Sequence, residues 1–176
     1  MKWKTLSSEY LFNDLWFKVR KEKCETPGGK IIDPYYVYDF SPWVGALALT
    51  EDGKLVMVKQ YRHAYGEVGI EIPGGCVDAT DQSNEDAIAR ELLEETGYQF
   101  SSYEYLGNIS PNTSTNSNVL HMYLARGGRS VAKQNLDNGE EIEIESVAKL
   151  YHEALEIWYW EIKAKDYIHQ QKFRVV

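Results

Sequence analysis

Three carboxylates crowd one helical turn in the run Arg90-Glu91-Leu92-Leu93-Glu94-Glu95-Thr96-Gly97. At about 100° per residue, Glu91, Glu94 and Glu95 share one arc, while Ile88, Ala89, Leu92, Leu93 and Thr96 share another. The helix is therefore expected to bury one side and present acid on the other. Like charges at these spacings each oppose a helix by about 0.2–0.5 kcal/mol. A bound cation reverses that sign. Mg²⁺ takes oxygen ligands, few of them from protein and the rest from water and substrate phosphate, so the pattern points to metal-assisted phosphate chemistry. Ahead of the helix, Gly74 and Gly75 let the backbone approach where a Cβ would interfere.

With 176 residues the chain is expected to form a single domain, 1–176, with a sizeable core. A formal charge of -8 argues against a nucleic-acid surface, which needs a basic stripe. The first eight residues lack the apolar core of a signal peptide, and no stretch approaches the ~20 apolar residues of a membrane span. A cytoplasmic protein with no nucleic-acid or membrane partner is the expectation. Cys24 and Cys76 are too few for a disulfide framework or a zinc site.

The alternation in Phe17 to Cys24 predicts a strand with one wet face, Pro27-Gly28-Gly29-Lys30 a turn, and Ile31 to Phe40 the returning strand. Trp43 to Leu49 and Leu55 to Tyr61 flank the turn Glu51-Asp52-Gly53-Lys54 and predict a hairpin. Ser83 as N-cap, Asp86 three residues on and Gly97 at the left-handed end predict a helix from Asn84 to Thr96. Further strands are expected over Tyr103 to Ser110, Val119 to Ala125 and Ile142 to Leu150, with a polar loop from Pro111 to Asn118. Helical spacing of Leu150, Ala154, Leu155, Trp158 and Ile162 predicts a C-terminal helix from His152 to Lys163. The aromatic residues of the first forty positions, with Trp158-Tyr159-Trp160, are more apolar surface than a small domain leaves in water, which predicts a homodimer.

The segment from Gly75 to Tyr98 resembles the signature of the Nudix hydrolases, Gly-x5-Glu-x7-Arg-Glu-U-x-Glu-Glu-x-Gly-U, where U is bulky and apolar. The half from Arg90 to Tyr98 fits throughout. In the first half one extra residue separates the glycine from Arg90. Counting from Gly75 places the first acid on Asp81, and counting back from Arg90 places it on Gln82. Gln60-Tyr61-Arg62, Glu71-Ile72-Pro73-Gly74-Gly75, Ser110-Pro111 and the acidic loop before Ile142 resemble the ADP-ribose pyrophosphatase branch. Asn112 stands where that branch commonly has glycine, and Asn138 where it often has a second glutamate.

The resemblance implies an α+β Nudix fold, a mixed β-sheet core sandwiched by helices, with an N-terminal antiparallel strand region over residues 1–40. It implies an enzyme that hydrolyses the diphosphate bond of a nucleotide sugar, ADP-ribose first, with Mg²⁺ as the cofactor and Mn²⁺ as its substitute. The metal would be held by Gly74, Glu91, Glu94, Glu95 and a carboxylate of the late loop. There Glu140 is favoured as ligand and base over Glu141 and Asp137. Arg90 would orient Glu91 and act with it and Glu140 in catalysis. Arg62, Glu71, Asn112 and Asn116 would contact substrate, with Asn118 on the same loop. The rival readings are a pyrophosphatase for another nucleotide sugar such as GDP-mannose, and a Nudix-fold sensor without turnover. The full set Arg90, Glu91, Glu94 and Glu95 disfavours the sensor.

Overall fold

The computed structural model describes residues 1–15 and 17–147. The expected C-terminal helix, Trp16, Trp158-Tyr159-Trp160 and the end of the last strand lie outside them. Cα packing divides the chain into two compact units, Met1–Ala46 with Gly74–Glu91 and Tyr103–Leu124, and Leu47–Pro73 with Leu92–Ser102 and Ala125 onward. Strands β4 (Trp43–Thr50), β9 (Ser102–Ile109) and β10 (Leu120–Ser130) and helix α1 (Asn84–Thr96) each contribute to both.

The first unit opens with an antiparallel meander of β1 (Lys4–Asn13), β2 (Lys18–Glu25) and β3 (Ile31–Asp39). Strand β2 buries Val19, Glu22 and Cys24, which do not form one alternating set, and its pairing with β3 shifts register between Glu22 and Cys24. Strand β1 is exposed along its whole length. It has no buried face and so no alternation in its sequence, which is why the pattern announced only β2 and β3. A short strand β7 (Gly74–Cys76) pairs with the start of β4, Gly45 opposite Gly74 and Val44 opposite Gly75.

The second unit carries the strand order β11-β5-β4-β10-β8, from β5 (Leu55–Arg62), β8 (Tyr98–Gln99) and β11 (Ile142–Val147), with β6 (Glu67–Glu71) added on β5. Hydrogen bonds from Trp43 N to Val119 O (2.9 Å) and from Glu51 N to Gly128 O (3.2 Å) advance together, so β4 runs parallel to β10. Its pairing with β5 is antiparallel, so the sheet is mixed. Leu55, Val56 and Val58 are buried in β5 next to Leu47 and Ala48 of β4. Such continuous apolar runs suit a strand covered on both faces.

Helix α1 has the predicted bounds. The Ser83 hydroxyl accepts from Asp86 N (3.0 Å) and donates to Asp86 Oδ2 (2.9 Å), which closes the N-terminal cap. Gly97 ends the helix with φ 69°. The predicted apolar arc needs one correction. Ala87, Ile88, Leu92 and Thr96 are buried, but Leu93 is exposed and the carboxylate-bearing Glu95 takes its place in the buried stripe.

Candidate active site

In the first unit the two glycines and the helix form one construction. Gly74 has φ 156°, and a Cβ there would stand 2.2 Å from the Val44 carbonyl oxygen. Only glycine fits against the β4 backbone. At Gly75 a Cβ would stand 2.5 Å from Glu91 Oε1 and 2.7 Å from Oε2. The Glu91 carboxylate therefore rests on bare backbone.

Arg90 straps this arrangement together. Its Nε donates to Asp81 Oδ1 (3.0 Å), its Nη2 to Asp81 Oδ2 (2.9 Å) and to the Cys76 carbonyl (3.0 Å), and its Nη1 to Glu91 Oε1 (3.0 Å). The Asp81 side chain is only 6% exposed and also accepts from Asp78 N (2.8 Å). The hydrogen bond from Arg90 holds the Asp81 carboxyl below its ordinary range against the opposing effect of burial. The structure thus places the first acid of the motif on Asp81.

In the second unit, Arg62 at the end of β5 bonds Glu71 at the end of β6, Nη2 to Oε2 at 2.8 Å. The hydrogen bond to Glu71 raises the Arg62 pKa against burial, and the charges of Glu71, Glu95 and Glu140 add to the rise. Arg62, Glu71, Glu95 and Glu140 thus form one electrostatic group. Glu95 is 4% exposed, and a buried carboxylate calls for an opposite charge. Glu140 Oε2 accepts from Asp137 N (3.1 Å) and Glu140 N donates to Asp137 O (3.1 Å), so the late loop closes on itself.

That loop is fastened at both ends by Gln134, a residue without any signal in the sequence. Its Nε2 donates to the Glu95 carbonyl (2.6 Å) and the Ile142 carbonyl (3.1 Å), while Asn135 N donates to the Glu94 carbonyl (2.9 Å). The last carbonyls of α1 thereby find partners.

The asparagines of the polar loop have local tasks. Asn112 Oδ1 accepts from Ser114 N (3.1 Å), its carbonyl accepts from Asn116 N (2.9 Å), and Asn116 Oδ1 accepts from Thr115 Oγ1 (3.0 Å). Tyr38 of β3 donates its backbone N–H to Thr115 O (2.7 Å). Asn118 is buried and donates to Ser41 O (3.1 Å), as a brace.

Oxygen donors, with few from side chains, suit a hard cation that takes its remaining ligands from water and phosphate. Among the described residues no three His, Cys, Asp or Glu side chains converge so as to hold a metal ion. Glu91, Glu94 and Glu95 all stand in the second half of α1.

A helix glutamate resting against a glycine strand, and an arginine that bonds both it and the loop before the helix, define the class of fold built around a Nudix helix. The chain belongs to the NUDIX domain family, which it matches over residues 40–170, and residues 3–38 match the nucleoside diphosphate sugar hydrolase N-terminal domain. It is 33% identical over 136 residues to an ADP-ribose pyrophosphatase of Mycobacterium tuberculosis, covering 77% of this chain and 65% of that one. It is 31% identical over 124 residues to a methanol dehydrogenase activator of Bacillus methanolicus, covering 70% and 66%. The chain thus spans just under two thirds of the length of each. A crystal structure of an ADP compounds hydrolase superposes with a TM-score of 0.70 at 19% identity, over 83% of this chain and 78% of that one, and shares the fold. Nudix proteins generally use divalent metal ions.

Proposed function

We propose that this chain is a Mg²⁺-dependent pyrophosphatase that cleaves a nucleoside diphosphate joined to a sugar, with ADP-ribose split to AMP and ribose 5-phosphate. The observation that carries the reading is the Glu91 carboxylate resting on Gly75 and bonded to Arg90. The matched N-terminal domain of nucleoside diphosphate sugar hydrolases and the likeness to an ADP-ribose pyrophosphatase support the substrate class.

In this reading Gly74, Glu91, Glu94, Glu95 and Glu140 hold the metal, with Mn²⁺ able to replace Mg²⁺. A bound divalent ion supplies neutralisation of the diphosphate oxygens and activation of water. Arg90 fixes the Glu91 rotamer, Glu140 takes the proton of the attacking water, and Arg62 binds phosphate. Glu71 lies in substrate contact in this reading, and Asn112 and Asn116 shape the loop that meets the sugar or base. Residues 1–176 act as one Nudix domain in the cytoplasm.

A homodimer completes the proposal. Tyr10, Phe12, Leu15, Phe17, Tyr36 and Tyr38 are all exposed in or beside the β1-β2-β3 meander, an apolar group that suits a second copy.

The test is a panel of ADP-ribose, GDP-mannose, UDP-glucose, NADH and nucleoside triphosphates with Mg²⁺, Mn²⁺ or chelator. Metal-dependent release of AMP, with the highest kcat/KM on ADP-ribose, is the expected result. If ADP-ribose trails another substrate by tenfold, about 1.4 kcal/mol of discrimination, the ADP-ribose assignment falls. If nothing on the panel is cleaved, the pyrophosphatase reading falls with it.

A further inference from the structure

The loop between β9 and β10 carries no apolar side chain from Asn112 to Asn118, so burial of apolar groups cannot fix its shape. Hydrogen bonds must do so. Asn112 closes the loop from within, its Oδ1 accepting from Ser114 N (3.1 Å) and its carbonyl from Asn116 N (2.9 Å). The carbonyls of Ser114 and Thr115 are taken instead by the N-terminal meander.

Strand β3 is an edge of that meander, and an edge strand offers N–H and C=O groups that its own sheet leaves unpaired. At Tyr38 the loop uses both. Tyr38 N donates to Thr115 O (2.7 Å) and Ser117 N donates to Tyr38 O (3.0 Å), a parallel bridge between Tyr38 and Asn116. Three residues earlier in β3, the Tyr35 hydroxyl donates to Ser114 O at 2.6 Å. Trp3 meets the Tyr35 ring in a T-shaped contact with centroids 5.9 Å apart, which braces the ring that carries this hydroxyl.

The far end of the loop leads toward the helix glutamate. Asn118 Nδ2 donates to Ser41 O (3.1 Å), and Val119 O accepts from Trp43 N (2.9 Å). Trp43 also pairs with Cys76, whose carbonyl accepts from Arg90. Two strand spacings, roughly 10 Å, thus separate the end of the loop from the strand that Arg90 ties to Glu91. All these residues belong to the first unit.

We propose that Tyr35 is a positioning residue for specificity, whose hydroxyl holds the Ser114 carbonyl to β3 and so sets the shape that residues 112–117 present to the sugar or base of the substrate. This rests on the reading above, in which that loop meets the sugar or base. Tyr35 acts through the loop without touching substrate. Its hydrogen bond is exposed, so losing it leaves Ser114 O to water at little cost to the fold. The polar loop, with nothing buried to hold it, then spreads over more conformations.

The experiment compares wild type with Tyr35→Phe in the full chain. It measures hydrogen exchange of the loop amides without substrate, thermal unfolding, and KM and kcat for ADP-ribose and GDP-mannose with Mg²⁺. In Tyr35→Phe the Ser117 amide, which reports the bridge to Tyr38, is expected to exchange about tenfold faster, with the melting temperature nearly unchanged. The preference between the two substrates, as a ratio of kcat/KM values, should fall by about fivefold or more. The change should lie in KM, with each kcat moving less than about twofold. Unchanged exchange would overturn the proposal, because the loop would then keep its shape without the hydroxyl. Faster exchange with an unchanged preference would overturn it too, since the loop would be held there without selecting substrate. An equal fall in kcat on both substrates would reduce Tyr35 to a structural contact and also overturn it. A wild-type chain that cleaves nothing overturns the underlying reading along with this one, and that case is told apart because wild type itself fails.

Discussion

Arg90 and Asp81 face each other as a two-pronged pair, Nε to Oδ1 at 3.0 Å and Nη2 to Oδ2 at 2.9 Å, across a loop one residue longer than the family signature allows. The shorter aspartate side chain and the extra residue compensate one another. The arginine keeps its remaining bonds to Cys76 O and Glu91, so the insertion leaves the glutamate where the glycine strand meets it.

Asp81→Ala should therefore cost about 2 kcal/mol, typical of a lost hydrogen bond to a charged group, and lower kcat as Arg90 loosens. Chemical denaturation checks the first and steady-state kinetics the second. The pH dependence has a defined sign. Arg90 depresses the folded-state pKa of Asp81, so its stabilisation is complete above the unfolded value of about 4 and is lost as pH falls through the lower folded value. The stability gap between wild type and Asp81→Asn should be level near neutrality and close in acid. A gap that widens below pH 4 would refute the assignment.

The two glycines should fail in different ways. Gly74→Ala drives a methyl into the β4 backbone, which cannot withdraw, so melting temperature should drop sharply. Gly75→Ala meets only the end of the Glu91 side chain. That carboxylate can swing away, so the protein should stay folded while activity collapses. Thermal unfolding and kcat measured on both variants separate the cases, and equal loss of stability in the two would contradict the geometry.

Glu91→Gln and Glu95→Gln should each lower kcat by more than about 100-fold, near 2.7 kcal/mol, with circular dichroism unchanged. Near-wild-type rates at saturating Mg²⁺ in both would remove these residues from the metal set.

The helix was legible because its signals are local. Ser83, Asp86 and Gly97 mark its ends by hydrogen-bonding chemistry that needs no tertiary context. Strands β4 and β5 were legible because burial on both faces leaves unbroken apolar runs, and β2 and β3 because the turn Pro27-Gly28-Gly29-Lys30 separates them. Strand β1 was not, since all its residues face solvent. Strands β6 and β7 were hidden for another reason: the glycines and acids of Glu67 to Cys76 are chosen by close backbone approach and ion pairing, which leave no period. Glu95 read as one of three acids on the side opposite the apolar arc, but packing buries it in place of Leu93. Gln134 makes its bonds to carbonyls distant in sequence, which one residue type cannot advertise.

For the late loop, Glu140→Gln should slow hydrolysis more than Glu141→Gln or Asp137→Asn, because Glu140 is the loop acid whose charge reaches Arg62. Negligible effects of all three would move the catalytic base elsewhere.

Light scattering at micromolar concentration should give twice the chain mass of 20.3 kDa. Paired Phe12→Ser and Leu15→Ser changes on the exposed N-terminal region should shift it toward monomer. A wild-type monomer would leave the apolar residues of that meander without the proposed occupant.

Gln134 clamps its loop as a clasp closes a bracelet, one carboxamide joining the end of α1 to the start of β11. Beyond Asn135, whose N–H also bonds the Glu94 carbonyl, changes in the span up to β11 need not disturb these bonds to the helix that carries Glu91 and Glu95. Residues 136–141 can therefore be lengthened, shortened or recharged, and new acids tried there, while the helix keeps its footing.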